Sequence, residues 1–189
     1  EEVKQVWESY QAGKPVRVPM GLGIGPRIWI LNPELNTEGI TWEQFSNDPE
    51  LMFHTQLKYK YYVHHNLPHD IEMGIPEKQW DIFTEFVNVT EENWLGCDLL
   101  YPPNQVTATQ PKYKGDRKNE IFDRGIPDPF SGIFARVKEY YEYFKDKSKS
   151  FEFYGKPVNI LQPCPIATDG LLTVAFNIRG TELMTDIIM

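Results

Sequence analysis

Two aspartates lie at positions where a carboxylate can do chemistry. Asp81 follows Trp80 in an apolar run typical of a strand, and Asp169 stands two residues before an expected helix. A carboxylate at a strand end that faces a pocket can act as a general base. The alternative for Asp81 is an ordinary cap or surface acid. For Asp169 we favour the N-cap of the helix over residues 171–178, a role compatible with a place at the mouth of a pocket.

A glycine-rich segment carries the candidate residues for substrate binding. Residues 21–27 have the sequence Gly-Leu-Gly-Ile-Gly-Pro-Arg. Arg27 can bind an anionic group through its guanidinium, and Gly21 and Gly23 allow backbone amides to approach a ligand. The alternative is a surface arginine that leads into a strand. The glycine spacing differs from the dinucleotide-binding fingerprint, so no nucleotide loop is predicted.

Three histidines lie close together in the sequence, but their arrangement does not favour a metal site. His64 and His65 are adjacent and must point apart, while Pro68 breaks the helix before His69. Their spacing therefore provides no pair of ligands on one face of a helix. We expect these histidines to lie at a helix C-terminus, where the helix dipole favours them. We expect none of them to bind a metal.

Composition restricts the class of protein. At 189 residues the chain can bury a real core in a single domain over residues 1–189, and 14% aromatic residues argue against disorder. The net charge of −8 disfavours a nucleic-acid or anionic-membrane partner. No apolar run approaches the roughly 18 residues of a membrane span. Two cysteines, Cys97 and Cys164, are too few for a disulfide framework, so we expect reduced thiols in a cytoplasmic protein.

Alternating helices and strands are expected to position these side chains. Periodicity and capping signals predict helices over residues 2–11, from Thr41 with a restart at Asp48 to about Asn66, and over residues 90–94, 130–146 and 171–178. Strands are predicted over residues 16–20, 28–31, 80–87, 97–101 and 158–161. This alternation indicates α/β architecture with βα units on a parallel sheet. In a barrel of such units, chemistry sits in the loops after the carboxyl ends of the strands.

Several short segments, taken in order, resemble one family. They are Phe-Val-Asn at residues 86–88, Trp-Leu-Gly-Cys at 94–97, Ile-Pro-Asp-Pro at 126–129, and Asp-Gly-Leu-Leu-Thr at 169–173 with Gly180. Together they resemble the uroporphyrinogen decarboxylase superfamily, which includes corrinoid-linked methyltransferases beside true decarboxylases. The resemblance covers roughly residues 17–189. It implies a (β/α)₈ barrel of the TIM type, which typically needs about 250 residues, so we expect this chain to be the N-terminal part of an incomplete barrel.

The departures from the family pattern favour the methyltransferase branch. The decarboxylases carry two arginines in an Arg-Gln-Ala-Gly-Arg-Tyr loop, since a substrate with many carboxylates needs several cations, whereas the matching segment here has only Arg27. The family's tyrosine after its Thr-Leu pair is replaced by Ala-Phe-Asn at residues 175–177. The seven-residue step from Thr173 to Gly180 is closer to the methyltransferases. The resemblance assigns substrate contacts to Thr173 and Asn177, and a tetrapyrrole-like ligand would offer Asp81 a pyrrole N–H.

The methyltransferase branch implies two groups for the full-length protein. Zinc, held by His-x-Cys and a distant Cys, activates a thiol or methyl acceptor, and a corrinoid or corrinoid protein serves as substrate. Neither Cys97 nor Cys164 has a histidine two residues before it, so the resemblance places the zinc ligands in a missing C-terminal half. A true decarboxylase of tetrapyrrole biosynthesis is the first alternative. The second is a non-catalytic binding or assembly module that pairs through an exposed sheet edge, either with another copy as a homo-oligomer or with a partner chain.

Overall fold

A computed structural model describes residues 2–86, 89–163 and 169–188, and helices make up most of its regular structure. The α-helices are α1 (Glu2–Gln11), α2 (Pro26–Leu31), α3 (Trp42–Asn47), α4 (Pro49–Asn66), α5 (Thr90–Trp94), α6 (Glu120–Arg124), α7 (Ile133–Ser148), α8 (Leu171–Arg179) and α9 (Glu182–Ile188). The strands are β1 (Trp80–Ile82), β2 (Leu99–Leu100), β3 (Ala108–Thr109), β4 (Glu152–Phe153) and β5 (Lys156–Ile160), and a 3₁₀ turn covers Gly115–Asn119.

The described strands form one mixed sheet and one separate ribbon. β1 pairs in parallel with β5, and β4 pairs antiparallel with the other edge of β5, giving the order β1-β5-β4. β2 and β3 form a two-stranded antiparallel ribbon. Residues 83–132 and α7 lie between β1 and β5 in the sequence, as a parallel pair requires a crossover connection. Within the described ranges the sheet is open, and the predicted barrel stays a prediction.

One face of the mixed sheet packs on α4 and α7. Trp80, Ile82 and Val158 are buried on this face, in one core cluster with Phe53 of α4 and Phe144 of α7. The rings of Phe53 and Phe144 meet edge to face with their centroids 5.2 Å apart. Full burial of each such side chain contributes about 1.5–3 kcal/mol to folding. Because side chains alternate along a strand, the residues between them point to the other face of the sheet.

The longest helix is set by local signals at both ends. The carboxylate of Asp48 accepts hydrogen bonds from the amides of Glu50 and Leu51, and Pro49 occupies the first helical position. The helix ends at Asn66, two residues before Pro68, which cannot continue it. The predicted bounds of α4 are therefore confirmed, as are those of α1 and the capping box between Thr41 and Gln44 at the start of α3.

Two of the predicted strands are wrong. Residues 28–31 belong to helix α2, which begins at Pro26 in the first helical position and buries Ile30 in the core. A short apolar run fits a helix or a strand equally well, and here the proline and the burial of Ile30 decide for the helix. Residues 16–20 form no strand, because no described segment pairs with them.

Other elements are shifted or shortened. The strand predicted over residues 80–87 ends at Ile82, and the strand predicted over residues 97–101 keeps only two residues. α7 begins at Ile133 because Asp128 accepts a hydrogen bond from the amide of Phe130 within the preceding turn and does not cap the helix. Gly170 occupies the N-cap position of α8, so the expected capping role of Asp169 is wrong.

Candidate functional site

A half-buried carboxylate lies just beyond the carboxyl end of β1. Glu85 follows the end of the strand by three residues, and its Oε2 accepts a hydrogen bond from the hydroxyl of Tyr59 at 2.8 Å. Tyr59 comes from α4 and is only 3% exposed. A Cβ atom built on Gly25 would lie 3.6 Å from Glu85 Oε1, so the glycine-rich segment borders the same carboxylate. The strand end, the helix and the glycine segment therefore meet at Glu85.

The titratable groups around Glu85 have shifted pKa values. Burial raises the pKa of Glu85, and the Tyr59 hydrogen bond and the charge of Lys60 offset part of that rise. Burial, followed by the charge of Glu85, raises the pKa of Tyr59 well above its usual value of 10.0. Burial lowers the pKa of Lys60, while Asp81 and Glu85 act against the change. A carboxyl group with a raised pKa next to an amine with a lowered pKa is typical of catalytic sites.

The backbone that leads to Glu85 is held by a side chain of α4. The amide of the fully buried Gln56 donates from Nε2 to the carbonyl of Phe83, and its Oε1 accepts from the Phe83 amide at 3.3 Å. These bonds satisfy both polar groups of Phe83 just where the sheet ladder ends. The next residue, Thr84, is buried, and its hydroxyl has no hydrogen-bond partner among the described residues. Gln56 thus fixes the segment that positions Glu85.

Asp81 lies on the other face of β1 from the core. Its Oδ1 accepts hydrogen bonds from Asn159 Nδ2 at 2.7 Å and from Gln79 Nε2 at 2.9 Å. Asn159 is also its partner in the register of β1 and β5. The carboxylate therefore carries two amide donors and sits near enough to Lys60 to affect its pKa. Asp81 and Glu85 therefore share Lys60 as a neighbouring charge.

The predicted residues of the C-terminal segment contact α5 instead. Asn177 donates from Nδ2 to Oε1 of the fully buried Glu92 at 2.7 Å, and the amide of Asp169 donates to Glu91 Oε1 at 3.1 Å. Thr173 is exposed in the first turn of α8. Glu92 Oε2 is buried without a hydrogen-bond partner among the described residues. These contacts place Asp169 and Asn177 at a second cluster around α5.

The predicted residues of the glycine-rich segment are accessible. Gly21 and Gly23 are exposed, and a Cβ atom on Gly21 would lie 2.8 Å from Ile71 Cδ1. Arg27 lies exposed in α2 and forms no ion pair within residues 2–86, 89–163 or 169–188. The other arginine near this segment, Arg17, makes a two-pronged ion pair with the carboxylate of Asp70. Arg27 is thus the arginine that this region leaves available to an anion.

The described residues contain no metal-ligand group. No cluster of three or more His, Cys, Asp or Glu side chains within these ranges could hold a metal ion. His64 contacts the carbonyl of Gly74 at 3.1 Å, and burial lowers its pKa. Cys97 is a buried free thiol whose pKa is raised by burial. Cys164 lies outside the described residues. The zinc that the resemblance implies therefore does not fit the side chains described.

The sequence prediction located the strand but missed its principal carboxylate. The predicted strand over residues 80–87 placed Glu85 inside a strand, whereas the observed strand leaves it in the loop that follows. Tyr59 and Lys60 sit on α4, distant in sequence from Glu85. The one available signal was the rule that chemistry follows the carboxyl end of a strand.

No helix in the described part of the chain is both long and apolar enough to cross a membrane. The chain matches no family model, no curated protein and no solved structure. Any functional conclusion therefore depends on the geometry and charges of the residues described above.

Proposed function

We propose that Glu85 is the general acid–base group of an enzyme of the uroporphyrinogen decarboxylase superfamily, on its corrinoid-linked methyltransferase branch. One observation carries the proposal, namely the partly buried hydrogen bond between Tyr59 and Glu85 at the carboxyl end of β1. A shifted pKa in this position of a βα unit is a physical reason to expect catalysis.

The chemistry follows from the proton that Glu85 holds. When a methyl group is transferred from oxygen or nitrogen to a nucleophilic acceptor, an electron pair of the acceptor forms the new bond to carbon, and the leaving atom keeps the pair of the bond that breaks. A protonated carboxyl can transfer its proton to that atom, and the carboxylate that results accepts a hydrogen bond from Tyr59. Lys60 stabilises the ionised carboxylate, since its charge lowers the pKa of Glu85.

The small number of available arginine side chains favours methyl transfer over porphyrinogen decarboxylation. A substrate with many carboxylates needs several arginines with free guanidinium groups. Arg17 is bound by Asp70, and Arg27 is the remaining exposed arginine of the N-terminal region. Asp81, together with Glu85 when it is ionised, would repel a polycarboxylate further. A neutral methyl donor such as an alcohol or a methyl ether meets no such repulsion.

The proposal can be tested with the complete gene product. We would measure transfer of the methyl group from methanol, methylamines and methoxylated aromatics to cob(I)alamin. Replacing Glu85 with Gln should lower kcat/KM by about 10²–10⁴-fold and remove the limb of the pH profile that reports the acid. The exposed Glu34→Gln is the matched control and should leave the rate unchanged.

Three outcomes would separate the alternatives. Methyl transfer that survives Glu85→Gln unchanged would contradict the assigned role of Glu85. Release of carbon dioxide from a porphyrinogen, without methyl transfer, would favour the decarboxylase. The absence of both activities would favour a non-catalytic module.

An assembly module is the second candidate, and exposed apolar side chains favour it. Leu171 is 91% exposed and Ile188 is 82% exposed, and both lie on the last two described helices. Large exposed apolar groups are typical of surfaces that bind another protein. A second copy of the chain is the proposed partner, and the outer edge of β1 in the described sheet offers a further pairing surface. Light scattering after size-exclusion chromatography should then give a dimer mass, and Leu171→Glu should give the monomer.

A further inference from the structure

Lys60 lies on one ridge of α4, between two side chains that contact β1 and the residue after it. Gln56 and His64 stand four residues before and after Lys60, so the three share one face of the helix. Gln56 bonds to the backbone of Phe83, and the ring centroid of His64 lies 5.1 Å from that of Trp80. The side chain of Lys60 therefore approaches the chain between these two contacts, at the end of β1.

The amine of Lys60 has no partner, yet it is accessible. Lys60 forms no ion pair and no hydrogen bond with any residue in the described ranges, whereas the nearby Lys58 is bound by Glu38. Lys60 is partly exposed, and its Nζ atom is not among the fully enclosed polar atoms without a partner, such as the hydroxyl of Thr84. A small molecule can therefore reach the amine.

An acid stands close to this amine. Glu85 Oε2 accepts the hydrogen bond from Tyr59, the residue that directly precedes Lys60 in α4. Glu85 Oε1 accepts no hydrogen bond from the described residues and borders Gly25. Lys60 and Glu85 do not form an ion pair with each other, so each group can act on a third one.

The surroundings of the two groups favour their uncharged forms. Burial lowers the pKa of Lys60 and raises the pKa of Glu85. Transfer of one proton from the ammonium to the carboxylate leaves the total charge unchanged and gives a neutral amine beside a carboxylic acid. A neutral lysine amine carries the electron pair that attacks a carbonyl carbon, and lysines that form imines are activated in this way.

We propose that Lys60 is a nucleophile that forms an imine with a small, uncharged ketone or aldehyde, and that Glu85 supplies the proton to the carbonyl oxygen. An uncharged substrate fits because Asp81, together with Glu85 when it is ionised, repels an anion. The proposal goes beyond methyl transfer and does not rest on it, although both reactions use the proton of Glu85.

Each step balances without an oxidant or a reductant. The electron pair of Lys60 Nζ forms the new C–N bond, and the carbonyl π pair moves to oxygen, which takes the proton of Glu85. The nitrogen then returns one proton to the carboxylate, giving a carbinolamine. The remaining nitrogen pair forms the C=N bond while the C–O bond breaks, and the hydroxyl leaves with that pair and the Glu85 proton as water. The products are an iminium ion and an ionised Glu85.

The test uses the intact chain with acetone as the probe, near neutral pH and without a corrinoid or a methyl donor. Sodium cyanoborohydride reduces any iminium ion to a stable isopropyl amine, and peptide mass spectrometry after chymotrypsin digestion measures the labelling rate of each lysine. The exposed Lys14 is the internal reference. Lys60 should be labelled at least about tenfold faster than Lys14, because a positioned acid contributes about 10²-fold or more. This comparison needs no variant, so it stands where a substitution unfolds the chain.

Two variants separate an acid from a mere counter-charge. The charges of Asp81 and Glu85 both raise the pKa of Lys60. Asp81→Asn should therefore increase the labelling of Lys60, and Glu85→Gln would do the same if Glu85 acted by charge alone. As the acid, Glu85 predicts the opposite, a loss of about 10²-fold or more in Glu85→Gln at an unchanged rate for Lys14.

Three results would overturn the proposal. The first is labelling of Lys60 at less than about tenfold the rate of Lys14. The second is a Glu85→Gln variant that is labelled as fast as the parent chain or faster. The third is a larger ratio of Lys60 to Lys14 labelling with the anionic ketone pyruvate than with acetone. Because no methyl group is transferred in this assay, its failure is distinct from a failure of the methyltransferase proposal.

Discussion

The hydrogen bond between Tyr59 and Glu85 makes a quantitative prediction about stability and pH. Because burial raises the pKa of Glu85 in the folded state, the folded chain binds more protons than the unfolded chain above the pKa of an exposed glutamate. The free energy of unfolding therefore falls as the pH rises through the folded pKa of Glu85. The Tyr59 hydroxyl, 2.8 Å from the carboxylate, opposes this fall by stabilising the ionised form.

Tyr59→Phe removes this hydroxyl with little change in shape. Below the folded pKa of Glu85 the bond joins two neutral groups, and its loss should cost about 0.5–1.5 kcal/mol of unfolding free energy. Above that pKa the acceptor is charged, and the loss should rise to about 1.5–3 kcal/mol. The variant should also raise the pKa of Glu85 further, since the tyrosine bond lowers it in the parent chain.

Urea denaturation at a series of pH values measures the first effect, and carbon-detected NMR of the Glu85 carboxyl measures the second. Tyr62→Phe is the matched control, because it lies on the same helix and its hydroxyl bonds to no described residue. A destabilisation by Tyr59→Phe that is independent of pH, or greater at low pH, would refute the reasoning. A Glu85 pKa that falls in the variant would refute it as well.

Three further changes test the fold. Phe144→Ala should lower the free energy of unfolding by about 3–5 kcal/mol in urea denaturation, because Phe144 is fully buried in the core. The hydrogen bond from Arg17 lowers the pKa of Asp70 to about 2. Asp70 therefore contributes to the free energy of unfolding above the pKa of an unfolded aspartate, and this contribution is lost as the pH falls towards 2. Asp70→Asn should abolish this part of the loss of stability in acid. Asn93→Ala should speed hydrogen exchange at the amide of Ile133, which donates to Asn93 at 2.8 Å, and an unchanged rate would contradict this.

Local signals in the sequence were sufficient to predict a helix end where a capping residue or a proline stands at that end. Asp48 with Pro49 starts α4, and Pro68 prevents its extension, so both bounds follow from residues within the element or next to it. Strand ends depend on distant partners. β1 ends at Ile82 because the side chain of Gln56 takes the backbone bonds of Phe83, a contact across 27 positions that periodicity does not reveal.

The same limit explains which site residues could be predicted. Asp81 is recognisable because it lies in an apolar run typical of a strand. Burial raises the pKa of Glu85, and the hydrogen bond from Tyr59, 26 residues earlier in the sequence, offsets part of that rise; neither effect is visible in the local pattern. The expected substrate contact of Asn177 was inferred from a resemblance, whereas the side chain donates to Glu92. The residue types in the sequence identified candidate site residues, whereas the folded structure determines which groups surround each of them.

The charge balance of the site links its geometry to the choice of substrate. Glu85 and Asp81 both act on the pKa of Lys60, so one ammonium lies within the influence of two carboxylates. Ionised Glu85 adds one negative charge to the site, and protonated Glu85 adds none. A polycarboxylate would meet repulsion in the first state and no attraction in the second. An uncharged methyl donor is compatible with both, and its leaving atom needs only the proton that burial helps Glu85 to retain.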